Sequence, residues 1–371
     1  MPIEIIKPGT RIDFLGKWRI GVAISGAVVL LGVAGIPLRG FRLGIDFAGG
    51  TEIQVRFLEA GAVDEGAVRE VVGELGIPNA SVTRFGGADS HEFLIKYLGG
   101  REIGEAPEAE ASGGAAPEQG ESRKSGEEQH ISLLEDSLEK RIGPLEVERV
   151  EFVGPKVGAD LREAGVKALA ISFVLILIYI GFRFSPRFAP GAVIALIHDV
   201  LVTSSIWILL GLEFDLTVLA ALLAIIGYSL NDTIIVYDRI RENMELRTKY
   251  DVKEVLNLSI NQTLSRTLLT SLTTVIAVLA LLVLGGEVIW PFALAMTIGI
   301  VVGTYSSIYI ASPCLLGLEA RFGGASSGPR GGARDVPRPP KPPKPPKGEV
   351  PKPPGNAKAA KAGSRRRRRP S

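Results

Sequence analysis

Residues Leu216 to Tyr237 read LTVLAALLAIIGYSLNDTIIVY and run straight into DRIREN over Asp238 to Asn243. A helix needs about 20 apolar residues to cross the roughly 30 Å hydrocarbon layer of a bilayer. This run has that length, yet it carries Asn231 and Asp232 inside it. Holding an aspartate at such depth costs on the order of 2.5 to 3.5 kcal/mol on insertion scales, and residues so placed tend to face a bundle interior and mark ion or proton pathways. What Asp232 is for is therefore the question that organises the rest of the chain.

Five further apolar stretches have the same character, at about 18–38, 164–182, 188–212, 268–284 and 288–315. They alternate with charged, Gly-rich and Pro-rich segments, which is the pattern of a polytopic membrane protein with six transmembrane helices. The basic start, with Lys7, Arg11 and Lys17, also fits a cleaved signal peptide. The length of the first stretch and the lack of a small-x-small cleavage site favour an uncleaved anchor instead. Six spans put both termini on one side. Arg183, Arg187, Arg239, Arg241, Arg247, Lys249, Lys253, Arg266 and the basic tail share that side, whereas the opposite short loops show Glu213, Asp215 and Glu287 with no Lys or Arg. The positive-inside bias then places both termini in the cytoplasm and the region 39–163 outside.

That outer region has its own periodicities. Thr51 to Phe57, Ser81 to Phe85, Glu92 to Leu98 and Leu145 to Val153 read as strands. Asp64 to Leu75 and His130 to Ile142 have helical apolar spacing. The order βαββαβ predicts an α+β ferredoxin-like domain followed by a five-helix bundle over 164–320. Residues 99–129 turn to Glu, Ala, Gly, Ser and Pro, too poor in large apolar side chains to offset the entropy of ordering, and are expected to be a disordered insertion. From Arg321 onward there are fifteen Lys and Arg against two acids, with repeated Pro-Pro-Lys and a final RRRRRPS. This predicts an extended, basic tail over 321–371, partly in polyproline II. It suits anionic lipid, RNA such as a ribosome, or simple solvation.

Composition excludes several chemistries. Cys314 is the only cysteine, and His91, His130 and His198 are dispersed, so no disulfide and no zinc site is expected. No Walker-type phosphate loop, HExxH or nucleophile elbow is present, so neither an enzyme nor a cofactor is expected.

The intramembrane polar residues carry the functional expectation. Tyr228 and Ser229 precede Asp232 by four and three residues and so share its helix face. His198 and Asp199 form a second pair near the middle of the preceding span, with Thr203 one turn on. Ionisable groups at staggered depths are what a proton relay requires. Arg266 opens the next span in SINQTLSRTLLTSLTT and offers Asp232 an opposed charge on an antiparallel neighbour. Separating such a pair would favour proton uptake. The plain alternative is structural: hydrogen bonds that tie helices together, and an arginine that snorkels to headgroups. Gly299 and Gly303 make a GxxxG, a signal for close helix approach either within the chain or to another subunit.

Several stretches together resemble the SecF family of the bacterial protein-export machinery. They are GIDFAGGTEIQVRF at Gly44 to Phe57, FVGPKVGADLREAGVKAL at Phe152 to Leu169, ALIHDV at Ala195 to Val200, IGYSLNDTIIVYDRIREN at Ile226 to Asn243, SINQTLSRTLLTSLTT at Ser259 to Thr274, and GTYSSIYIASP at Gly303 to Pro313. The resemblance covers about residues 10 to 320. It implies an accessory, non-enzymatic subunit of the inner membrane that pairs with SecD, associates with the SecY, SecE and SecG channel, and uses the proton gradient to help draw preproteins across. It further implies that Asp232 and Arg266 occupy the family's proton-path positions; Asn231, Asp199 and His198 join them as proton-coupling candidates on the intramembrane placement of the residues alone. The insertion and the tail depart from the family pattern. Two other classes remain open on the residues alone: a membrane scaffold in which Asp232 and Arg266 are structural, and half of a small-molecule exporter.

Overall fold

The computed structural model describes residues 11–58, 63–77, 80–86, 90–97, 131–184, 186–246 and 251–322. The expected insertion 99–129, and the tail beyond residue 322, lie outside them. Among the described residues, six helices are long and apolar enough to cross a membrane. They are α1 (Trp18–Arg39), α5 (Pro155–Arg183), α6 (Ala189–Leu210), α7 (Leu216–Glu245), α8 (Val252–Leu284) and α9 (Gly286–Ser306), the last continuing through a π-helical turn (Ser307–Ala311) into α10 (Ser312–Phe322). Between α1 and α5 come a short helix α2 (Ile45–Ala48), strands β1 (Gly50–Phe57), β2 (Ser81–Phe85), β3 (Glu92–Tyr97) and β4 (Leu145–Val153), and helices α3 (Glu65–Glu74) and α4 (131–141).

The sheet runs β2-β3-β1-β4 with every neighbouring pair antiparallel. Alternation in the sequence sets its register: Ile53 faces Ile95 and Val55 faces Phe93, so one face of the sheet is apolar. Val68, Val71 and Val72 of α3 and Leu134 and Leu138 of α4 bury that face. The other face is polar. There Lys96 reaches Glu52 at 3.2 Å on the sheet and Glu213 at 3.1 Å in the α6–α7 loop. The turn after β2 meets the first turn of α9 through the Gly86 N–H and Glu287.

The helices are longer than the apolar runs that announce them. The fifth span, expected from 268, begins at Val252, and the fourth, expected to stop at Tyr237, continues to Glu245. These extensions are amphipathic: Val255, Leu256, Ser259, Ile260, Thr263 and Leu264 are buried on one side of α8 while Lys253 and Glu254 are exposed. A search for all-round apolarity stops where one face turns polar. The GxxxG is used within the chain. A Cβ on Gly303 would stand 2.9 Å from Cβ of Ser229, and one on Gly299 would overlap Ile225, so α9 lies directly on α7.

Candidate functional site

The two buried acids of the bundle meet at adjacent faces of α7: Asp199 reaches that helix from α6, and Asp232 projects from it towards α8. Asp199, in the middle of α6, is fully buried. One of its oxygens lies 3.0 Å from Nδ1 of His198, and the other accepts from the hydroxyl of Ser229 on α7. The His198 ring stands 6.3 Å from that of Tyr305 on α9, whose hydroxyl accepts from Ser25 on α1. Thr203 is buried one turn beyond Asp199, as the spacing predicts. Ser229 therefore serves Asp199 and not Asp232. Three residues on a helix differ by about 60° in direction, and here that separates α6 from α8.

Asp232 is also fully buried. Its Oδ2 accepts from Ser271 of α8 at 3.2 Å, and Ser271 in turn accepts from Thr304 of α9 at 2.7 Å. Among the described residues its Oδ1 has no hydrogen-bond partner, nor do the buried hydroxyls of Thr233 and Thr267. No ion pair with Asp232 occurs among the described residues. The chemistry on hand is a single carboxyl group in a hydroxyl-lined seam where three helices meet.

Arg266 is not at that seam; it is exposed. Four contacts fix the antiparallel register of α7 and α8: Tyr228 with Thr274, Asp232 with Ser271, Arg239 with Gln262 and Asn243 with Ser259. On that register Arg266 faces the level of Val236 and Tyr237, about 6 Å along the axis from Asp232, and it points about 140° away from Ser271. The opposed pair expected from the sequence is thus not formed here. Depth along one helix is readable in a sequence; rotation against a neighbour is not. Asn231 is exposed as well, since one residue turns the helix by about 100° from the buried Asp232.

Three groups of residues were not visible as a site in the sequence. At one end of the bundle Asn257 of α8 accepts from the backbone N–H groups of Phe14 and Leu15 and donates to Asp13, while Asn261 pairs with both backbone groups of Ile12. The Gly16 N–H, then Asn257, hold the Asp13 carboxyl below its ordinary range. At the other end Asp215 caps α7 by accepting from Val218 at 2.7 Å, and Asp46 of α2 accepts from Leu216 at 2.9 Å. Burial, together with the facing Asp46, pushes the Asp215 carboxyl up. Burial acts to lower the Lys96 ammonium, but Glu213 and Glu52 more than offset it and hold it above its ordinary value. The i, i+4 spacing of Asn257 and Asn261 was the one local signal available for any of these.

Comparison with known proteins bears on the whole arrangement. The family described as Protein export membrane protein SecD/SecF, C-terminal, matches residues 134–321, and the SecD/SecF GG Motif matches residues 34–57. The chain is similar to the protein translocase subunit SecF of Calditerrivibrio nitroreducens, at 44% identity over 84% of this chain and 95% of that protein. It is similar to SecF of Escherichia coli O157:H7 at 39% identity over 85% of this chain and 91% of that one. Among solved structures it is similar to SecDF of Thermus thermophilus, described as a translocon-associated membrane protein, with a TM-score of 0.67 and 37% identity. That match covers 84% of this chain but only 39% of the SecDF chain, so this protein spans about two fifths of that longer one.

Proposed function

We propose a function on one premise: the chain belongs to the SecF family of protein translocase subunits. It is a multi-pass membrane protein whose role is transport. It works with a SecD partner beside the SecY, SecE and SecG channel of the bacterial inner membrane, with both termini in the cytoplasm and the sheet-bearing lobe outside. The lobe, which we take as ferredoxin-like from its strand order, engages the emerging preprotein, and the proton gradient drives its movement through Asp232.

The observation that carries the proposal is the full burial of Asp232 beside the Ser271 hydroxyl, with no ion pair to it among the described residues. An ionised carboxylate so placed lacks compensation, because a buried charge needs a partner. A proton supplies it in one state. Arg266 supplies it in another, once α8 turns or slides against α7 by the offset described above. Asp199 and His198 extend the path across α7 towards α1. Each charge that crosses 100 mV is worth about 2.3 kcal/mol, so a few protons suffice to shift a rigid lobe between two states.

The bonds from Ser229 to Asp199 and from Ser271 to Asp232 each join two helices, which favours a scaffold as the second reading. One variant separates them. Asp232→Asn keeps an acceptor for Ser271 but cannot carry a proton. It should leave the complex in the membrane and abolish the gradient-dependent part of preprotein export. Export at the parental rate would exclude the proton role and leave the scaffold.

A further inference from the structure

The segment from Gly44 to Gly50 makes an elbow between α1 and β1, and it holds more than the lobe. On one side it pairs with the residues that open α7. The Gly44 N–H donates to the Phe214 carbonyl at 2.7 Å, and the Phe214 N–H donates to the Arg42 carbonyl at 2.9 Å. The rings of Phe41 and Phe214 stack with centroids 4.7 Å apart. Asp46, in the elbow's single helical turn, accepts from the backbone N–H of Leu216, the first residue of α7.

On its other side the elbow touches the helix by which the chain leaves the lobe. Gly49 has φ +77°, and a Cβ there would stand 2.7 Å from Cα of Pro155, the first residue of α5. A Cβ on Gly158 would stand 3.0 Å from the Gly49 nitrogen and the Phe47 carbonyl oxygen. Both chain connections of the lobe therefore meet at this elbow. No side chain fits between it and α5, so the two must move together.

The elbow's hold on α7 is a different kind of contact. The first four N–H groups of a helix have no partner inside it. Asp215 satisfies the one on Val218, which is ordinary local capping. Asp46 satisfies the one on Leu216 from an element 170 positions away, and it sets a second carboxylate against Asp215 to do so. Sixteen residues further along α7, about 24 Å at 1.5 Å per residue, lies Asp232.

We infer that Asp46 is a positioning residue: its carboxylate on the first N–H of α7 makes the outer lobe and the helix bearing Asp232 move as one body. The inference rests on the proton-coupled function proposed above. It assigns to this elbow the transmission of movement, and to Asp46 the grip.

The test breaks one hydrogen bond from each end. Asp46→Ala removes the acceptor. Leu216→Pro removes the donor and leaves the elbow untouched; proline is favoured at the first helical position, and Asp215 before it is already extended at φ −121° and ψ −178°. Export of a preprotein is measured with and without an imposed proton gradient, in membrane vesicles that hold the full chain with its translocase. Each single variant should lower the gradient-stimulated rate by about tenfold, the scale of losing one hydrogen bond to a charged group, and leave the unstimulated rate and the amount of complex as in the parent. The double variant should be no slower than either single, and Asp46→Asn, which still accepts, should retain most of the response.

A parental response in either single variant, multiplied losses in the double, or an equal loss of the unstimulated rate would overturn the inference. If Asp46→Ala fails to accumulate, Leu216→Pro decides. Asp232→Asn is run alongside. If it leaves the gradient response intact, the proton-coupling proposal falls; if it abolishes the response while the Asp46 and Leu216 variants do not, only this inference falls.

Discussion

Replacing Gly299 with alanine tests the contact that sets α9 against α7. The added Cβ would overlap Cδ1 and Cγ1 of Ile225 and stand 2.9 Å from its Cγ2. Ile225 is 1% exposed, so its side chain has no free space to swing into. Forcing a methyl into such a contact costs about 1 to 3 kcal/mol in off-rotamer side chains and shifted backbone. Ile225→Ala alone removes the obstructing atoms and opens a cavity, at about 2 to 5 kcal/mol. In the double variant the new methyl enters the space the isoleucine left, so the combined loss should fall short of the sum by about 1 to 3 kcal/mol. Steric-trap unfolding of the purified chain in bicelles, run on all four proteins, measures this. Strictly additive losses, or parental stability of Gly299→Ala, would refute the close approach of the two helices. Gly303→Ala is the contrasting case. Its Cβ meets Ser229 at Cβ and Cα, atoms that no rotamer change can move, so α9 itself must yield. Thr304 is the next residue, and its hydroxyl holds Ser271 against Asp232. Export driven by the gradient should therefore suffer more in Gly303→Ala than in Gly299→Ala at equal stability.

Two further outcomes follow from the ends of the bundle. Asn257→Ala frees the amides of Phe14 and Leu15 from α8, and hydrogen exchange at both should quicken by about tenfold, the scale of a hydrogen bond worth somewhat over 1 kcal/mol. Unchanged protection would mean that burial of Phe14 and Leu15 alone holds this segment. Asp215→Asn keeps an oxygen for the Val218 N–H and removes the charge that faces Asp46. Because the native state raises this carboxyl above its ordinary 3.8, parent and variant should match in stability below that pH, and the variant should gain on the parent as pH rises through it. A difference that shrinks with rising pH, in unfolding followed across the acid range, would contradict the sign.

What the sequence made legible was whatever depends on one element at a time. The alternation of Ile53, Val55 and Phe57, and of Phe93, Ile95 and Tyr97, specified the two central strands, β1 and β3, and their inward faces without help from the rest of the chain. Continuous apolarity located all six spans. Burial of Asp232 and Asp199 followed from the cost of showing a carboxylate to lipid. What stayed hidden depends on how two elements meet. Arg266 was expected opposite Asp232 because both lie near one end of adjacent spans, yet four contacts far from either residue set the register that keeps them apart. Asp46 looks like a residue of its own short turn and not like a cap for a helix 170 positions on.

The two buried acids differ in what they have left to offer, and this separates their roles. Both oxygens of Asp199 are engaged, one with His198 and one with Ser229. Asp232 has one oxygen engaged by Ser271 and one with no partner among the described residues. No hydrogen bond joins the two carboxyl groups among the described residues, although Ser229, which donates to Asp199, lies only three residues from Asp232 on α7. A proton passing between them must therefore be carried by water or by movement of α7, since transfer needs hydrogen-bonding distance at each step. Asp199 is built to be held, and holds α6 to α7. Asp232 is the acid to which the proposed change of partner falls, because one of its oxygens has no partner among the described residues. The helix that carries it is held by Asp46 at its first residue, and is tied to α8 by Asn243 and Arg239 at its last turns. A change of partner at Asp232 thus acts on a helix with both ends held, and any resulting motion must appear at whichever hold is free to move. Of the two, the elbow is the one attached to the lobe.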